Sequence, residues 1–158
     1  MNTKLLKELE EKFQEMKKEL GLKISLEEID KIFFIKDSVL NDGFVSERLS
    51  RQICSRISHT YGSWVNYLNG LLMPNPGYMP LQIESKPFSS KEEREKVWEL
   101  IRKAMELMSR NSLIGLIKDK KQEAKFIEDS VNFWNKEIKD ELIRIMTKTH
   151  EQWEEAEK

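Results

Sequence analysis

Residues 73–87 read MPNPGYMPLQIESKP and hold all four prolines of the chain, Pro74, Pro76, Pro80 and Pro87. Proline has no N–H to donate and its ring collides with the preceding turn, so helix interiors expel it. The proline-free stretches on either side are free to be helical, and both carry helical periodicity. The segment itself reads as a connection. Asn75-Pro76-Gly77 is a turn signature, and Leu81 and Ile83 alternate with polar residues as in a short extended piece. The expectation is a Pro-rich crossover loop over about residues 72–88, joining an N-terminal helical half (1–71) to a C-terminal one (89–158) within a single domain of 1–158. A loop that long is unusual in a compact domain and is more often functional or mobile.

Moving outward toward the N-terminus, Leu49, Ile53, Ile57, Tyr61, Trp64 and Leu68 recur at steps of three and four. They predict the buried stripe of a helix over about 46–69, with Gly70 as its C-cap. Before it, Asn41-Asp42-Gly43 is a turn. Leu26, Ile29, Ile32, Phe33 and Leu40 make one helix opened by Ser25, with Glu28 three residues on as a capping box. Leu5, Leu9, Phe13, Met16 and Leu20 form the face of a first helix that stops at Gly21. Toward the C-terminus, Ser89 or Ser90 caps a helix whose Val97, Trp98, Ile101, Met105 and Met108 face inward. Asn111-Ser112 breaks the chain, and Leu113, Leu116 and Ile117 make a short helix. Ile127, Val131, Trp134, Ile138, Leu142 and Ile145 mark a last helix continuing toward Trp153. At 1.5 Å per residue it would be about 45 Å long, a projecting arm or partner helix. The fold class is therefore all-α: a mostly antiparallel bundle of five to six helices.

The chain of 158 residues carries 35% charged side chains and a formal net charge of −1. The charge is dominated by Lys and Glu, both good helix formers and both enriched in thermophilic proteins. A balance near zero gives no overall bias toward nucleic acid or anionic membrane. No stretch approaches eighteen apolar residues, so no membrane span is expected. The segment MNTKLLKELEEKF lacks the apolar core of a signal peptide, and Cys54 is the only cysteine. Both features fit a reducing, cytoplasmic location.

The charges are unevenly placed. Residues 41–90 contain only Asp42, Glu47, Arg48, Arg51, Arg56, Glu84 and Lys86, with no acid between Glu47 and Glu84. At about 100° per residue, Arg48, Arg51, Gln52, Ser55, His59, Ser63 and Asn66 share one arc of their helix, with Arg56 at its margin. Arg makes planar bidentate contacts to carboxylates and phosphates and tolerates partial burial better than Lys. The candidate partner- or anion-binding residues are therefore Arg48, Arg51, Gln52, Arg56, His59, Asn66 and Tyr67, joined by Asn75 and Tyr78 from the Pro-rich segment. The competing structural reading is that this helix is central and its polar arc is hydrogen-bonded to neighbours.

Catalytic patterns are sparse. His59 and His150 are the only histidines, and neither follows a Glu at i−3, so the Glu-x-x-His pairs of di-iron bundles are missing. Cys54 and His59 are five apart on one helix and point about 140° apart, so they do not form a nucleophile–base pair. There is no glycine-rich phosphate loop and no nucleophile elbow. No cofactor is implied. Glu8-x-x-Glu11, followed by Glu27-x-x-Asp30, is similar in spacing to the Mg²⁺ motif of the all-α NTP pyrophosphohydrolases. That resemblance covers four positions. It implies Glu8, Glu11, Glu27 and Asp30 as metal ligands on two facing helices and metal-dependent nucleotide hydrolysis. A nucleic-acid-associated helical subunit is a further alternative, resting on Arg48, Arg51 and Arg56 with nearby aromatics, and on a second basic cluster of Lys118, Lys120, Lys121 and Lys125. The leading expectation is a non-catalytic interaction protein, an adaptor or subunit of a cytoplasmic assembly, with a protein partner or self-association as its means.

Overall fold

The computed structural model describes residues 2–156, and every regular element among them is helical. In chain order these are α1 (Thr3–Leu20), α2 (Leu26–Phe33), α3 (Ile35–Asp42), α4 (Leu49–Leu72), α5 (Met79–Glu84), a 3₁₀ turn (Lys86–Phe88), α6 (Lys91–Ile117), α7 (Lys120–Phe133), a π-helical turn (Trp134–Ile138) and α8 (Lys139–Ala156). The protein is all-α. Among the described residues no helix is long and apolar enough to cross a membrane. Met1, Glu157 and Lys158, the outermost residues of the expected domain, lie outside the described residues.

The chain forms two compact units, Met1–Thr60 with Leu107–Trp134 and Tyr61–Glu106 with Asn135–Lys158. The division does not fall at the prolines. Each unit draws on two chain segments, because α4 and α6 each contribute residues to both.

In the first unit, α1 packs on α3 and α7, and α2 on α3 and α7. The α1 stripe is buried through Leu5, Leu9, Phe13 and Met16. Facing residues such as Ile29, Phe33, Ile53, Ile57 and Ile127 are fully buried. Each such side chain contributes about 1.5–3 kcal/mol by leaving water. Helix ends follow the residues that cap them. Asn2 Oδ1 accepts the Leu5 N–H at 3.1 Å, and Ser25 Oγ accepts the Glu28 N–H at 3.2 Å. Gly21 closes α1 at φ 69°. The expected single helix after Ser25 is in fact two, because Phe34 adopts a left-handed φ of 55° between α2 and α3. Asp30 secures this kink twice: its carbonyl accepts the Phe34 N–H at 2.8 Å and its Oδ1 accepts the Lys36 N–H at 2.8 Å.

Asn111-Ser112 does not break α6. Asn111 is buried, and Ser112 Oγ donates to the Met108 carbonyl at 3.3 Å within an unbroken helix. That helix ends instead at Ile117, where Lys118 takes φ 65°. Leu113, Leu116 and Ile117 are exposed. Trp134, half-buried at the start of the π turn, meets Phe33 edge-on at 6.4 Å between ring centroids.

In the second unit, α5 and the 3₁₀ turn pack on α8. Tyr61, Leu68, Phe88, Val97, Ile138 and Ile145 are buried to completion. Here the expected Pro-rich loop is corrected. Pro80 and Pro87 lie in the first turns of α5 and of the 3₁₀ turn, where a missing N–H breaks no helical bond. Leu81 and Ile83 are therefore helical rather than extended. The turn at Asn75-Pro76-Gly77 is present, with the Tyr78 N–H donating to the Asn75 carbonyl at 3.0 Å. Gly70 is not a C-cap, since α4 runs on to Leu72. Its missing side chain makes room for Leu81, whose Cδ1 would lie 3.0 Å from a Cβ placed there. Trp98 and Met105, expected inside, are 56% and 45% exposed. The inward face of this part of α6 is Val97, Leu100, Ile101 and Ala104.

Candidate functional site

The N-terminal part of the arc, without Ser63 and Asn66, lines one open groove of about 490 Å³ in the first unit. Arg48, Arg51, Gln52, Ser55, Arg56 and His59 form one wall. Ser38, Asp42, Phe44 and Ser46, from α3 and the turn after it, form the other. Gln52 stitches the walls together. Its Oε1 accepts the Ser46 N–H at 2.9 Å, while its Nε2 donates to Asp42 Oδ2 and to the Phe44 carbonyl, both at 3.3 Å.

Two of the three arginines are held from behind. Arg56 Nε donates to the Phe33 carbonyl at 2.9 Å, satisfying the last residue of α2. Arg51 Nη1 lies 3.4 Å from Glu123 Oε2, and its Nη2 donates to Asn111 Oδ1. Glu123 is 1% exposed and also accepts from Ser50 Oγ at 3.1 Å. A buried carboxylate of this kind is tolerable only when paired and hydrogen-bonded. Gly115 lies against the guanidinium, where a Cβ would sit 3.4 Å from Arg51 Nη1 in ordinary contact. Part of the polar arc is thus structural: Arg51 and Gln52 are engaged inside the unit. Arg48 differs, being exposed with no ion-pair or side-chain hydrogen-bond partner among the described residues.

The remaining sequence candidates belong to the second unit. Asn66 is exposed. The Tyr67 hydroxyl donates to Glu84 Oε1 at 2.5 Å, and burial, reinforced by that carboxylate, pushes the phenol well above its usual range. Asn75 Oδ1 accepts the Gly77 N–H at 2.8 Å, so its side chain is engaged in the turn. Tyr78 is exposed at the start of α5. A second open groove of about 580 Å³ lies close by in sequence, with Leu72, Met73 and Trp98 as its apolar lining and Lys91, Arg94 and Glu95 among its polar residues. Arg94 Nη1 donates to the Leu72 carbonyl at 2.8 Å, closing the end of α4.

The structure does not gather Glu8, Glu11, Glu27 and Asp30. Among the described residues no group of three or more His, Cys, Asp or Glu side chains could hold a metal ion. Glu8 pairs instead with Lys12 at 3.5 Å, and Asp30 caps the α2–α3 kink. The second basic cluster is interleaved with acids: Lys120 lies 3.8 Å from Glu19, and Lys125 lies 3.0 Å from Asp129. Cys54 is fully buried, and burial pushes its thiol up to about 12. Glu123 adds to that rise while Arg51 opposes it. The thiol therefore stays protonated at neutral pH and is no nucleophile.

Three residues of the first groove's support, Ser50, Asn111 and Glu123, were not anticipated, nor were Phe44 and Trp98 as exposed aromatics. One signal for Glu123 existed. It stands four residues before Ile127, in line with the apolar stripe that continues through Val131.

The fold is an all-α chain whose surface grooves include this polar one in the first unit and this apolar one in the second. Comparison with protein-family models, with curated proteins and with solved structures returned no match.

Proposed function

We propose that this chain is a non-catalytic helical interaction protein, an adaptor or subunit of a cytoplasmic assembly, and that its protein partner seats in the groove of the second unit. The observation that carries this reading is the exposure of large apolar side chains around that groove. Met73 is 73% exposed and Trp98 56% exposed, with Tyr78 and Met79 exposed beyond Met73. Tyr, Trp and Met are enriched where proteins meet, and Trp is among the residues enriched at the hot spots of binding energy. Lys91, Arg94 and Glu95 mix both signs among the polar residues of the groove. The fitting occupant is an apolar protein segment flanked by charges of both signs, on a second copy or on another chain. The cytoplasmic element of the reading is supported by Cys54, a lone buried thiol of the kind reducing compartments preserve.

The test is association measured by light scattering after size exclusion, together with affinity capture, at low and at high salt. An apolar contact survives 1 M salt as a surface ion pair does not. Trp98→Ala should weaken the association by about 30-fold, the effect of losing a central anchor. A strictly monomeric protein that captures nothing, or a complex indifferent to Trp98→Ala and Met73→Ala, overturns the reading.

A further inference from the structure

The groove of the first unit poses a separate question, because its charges do not cancel. Arg48, Arg51 and Arg56 line it, and among the described residues the only carboxylate lining it is Asp42, which accepts a hydrogen bond from Gln52. Elsewhere Arg102, Arg110 and Arg144 each pair with a carboxylate within 2.8 Å. Arg48 and Arg56 pair with none among the described residues. Arg51 is compensated by Glu123 from the interior side.

Two of the three arginines are also held in place. Arg56 is fixed through Nε, and Arg51 through one contact on each terminal nitrogen. A guanidinium has five N–H donors, so each keeps donors for a ligand after those contacts are made. A guanidinium already fixed loses little freedom when it binds. The Ser38, Ser46 and Ser55 side chains supply neutral polar groups along the same walls. Phe44 lines the groove as well and is 57% exposed, an aromatic side chain left in water beside a cationic wall.

From this we infer that the first-unit groove binds a nucleotide, with the phosphate on Arg48, Arg51 and Arg56 and the base against Phe44. A guanidinium fork binds phosphate oxygens in a bidentate fashion, and three arginines on one wall suit a group that carries several charged oxygens. An exposed aromatic face next to them is the platform on which a base stacks. The groove's volume of about 490 Å³ is that of a small-ligand cleft. A free nucleotide and one residue of a single strand present the same base-plus-phosphate chemistry. This inference stands on the first unit alone and does not depend on the apolar groove of the second.

The experiment is calorimetric titration of the whole protein with adenosine monophosphate, with inorganic pyrophosphate and with a single-stranded ten-nucleotide RNA, at two salt concentrations and without added metal. Binding of the nucleotide and the RNA with equal affinity per site assigns a free nucleotide as the source. Binding of the RNA far more tightly, and with a steep inverse dependence on salt, assigns a strand. Arg48→Ala, exposed and unpartnered, leaves the fold intact by circular dichroism and should lower the affinity about tenfold. Phe44→Ala should lower the affinity for the nucleotide and the RNA about tenfold and leave pyrophosphate unaffected. The site is overturned if none of the three binds at millimolar concentration, or if Arg48→Ala and Phe44→Ala change nothing. Tighter binding of a phosphate-free polyglutamate peptide overturns it equally.

Discussion

The polar groove of the first unit and the apolar groove of the second are built on opposite principles, and one ion pair from each unit shows why. Arg51–Glu123 in the first unit pairs side chains that are 21% and 2% exposed, and it stands behind a groove lined with cations. Arg144–Glu93 in the second unit pairs side chains 27% and 15% exposed, and neither residue lines the apolar groove. In the first unit a buried acid fixes the position of Arg51 on the groove wall. In the second, charge stays nearer the surface and the groove takes its character from Met73 and Trp98. A buried pair is poor evidence for stability in itself, since desolvation can exceed the attraction. Its place here is explained by the orientation it imposes on Arg51.

The largest expected effect breaks the first of these arrangements. Glu123→Ala leaves the Arg51 guanidinium and the Ser50 hydroxyl without their shared acceptor. It should cost about 2–4 kcal/mol, somewhat below the full penalty for a buried pair because Arg51 reaches water. Urea denaturation measures it. Replacing both members, Arg51→Met with Glu123→Met, should recover most of that loss while removing one phosphate contact. Recovery would show that the pair serves position rather than stability. A double variant as unstable as Glu123→Ala would contradict this.

A smaller effect sharpens the account of the first groove's far wall. Phe34 holds a left-handed backbone at the α2–α3 junction with its side chain half in water, a conformation that costs a non-glycine residue about 1–2 kcal/mol. Phe34→Gly relieves this strain but enlarges the freedom of the unfolded chain. The net should be a gain of about 0.5–1 kcal/mol, read as a rise in melting temperature of about 2–4 °C. A fall would mean that the exposed ring contributes more than the backbone strain costs.

The smallest effect belongs to the second unit. Burial disfavours the charged form of Glu93, but the hydrogen bonds and charge of Arg144 prevail and hold its carboxyl below the usual value of 4.5. The sign follows directly: a depressed carboxylate stabilises the fold above its unfolded value and loses that contribution as pH falls through its folded value. Glu93→Gln should therefore lower stability by less than about 1 kcal/mol at pH 7, and the difference should vanish as the pH is lowered below 4.5. Melting curves between pH 7 and pH 3 follow it. A difference that persists at pH 3 would point to packing rather than charge.

Much of the helical plan is legible in the residues themselves. The α1 stripe, the Ser25 cap, the Gly21 stop and the buried face of α4 all appear in periodicity and capping chemistry, because these depend on neighbours three and four residues away. The arc Arg48–Arg51–Gln52–Ser55–Arg56–His59 is legible for the same reason, and the structure keeps it as one wall of a groove. Proline misled in one respect. It marks helix starts as well as loops, and Pro80 and Pro87 begin helical turns.

What periodicity does not contain is the identity of whatever lies across from a face. Trp98 shares the rhythm of the apolar residues on α6, yet no element covers it, and it stays 56% exposed. Glu123 sits in an acid-rich stretch like many others in the chain, and only the approach of Ser50 and Arg51 from distant positions makes it a buried, paired carboxylate. Local sequence determined that the chain is helical, where most of its helices begin and end, and that its arginines share one arc. Tertiary structure alone decided which charge is buried, which aromatic is left in water and which arginine is free. Burial and pairing depend on the whole three-dimensional neighbourhood of a side chain, and residues separated by sixty or seventy positions supply that neighbourhood.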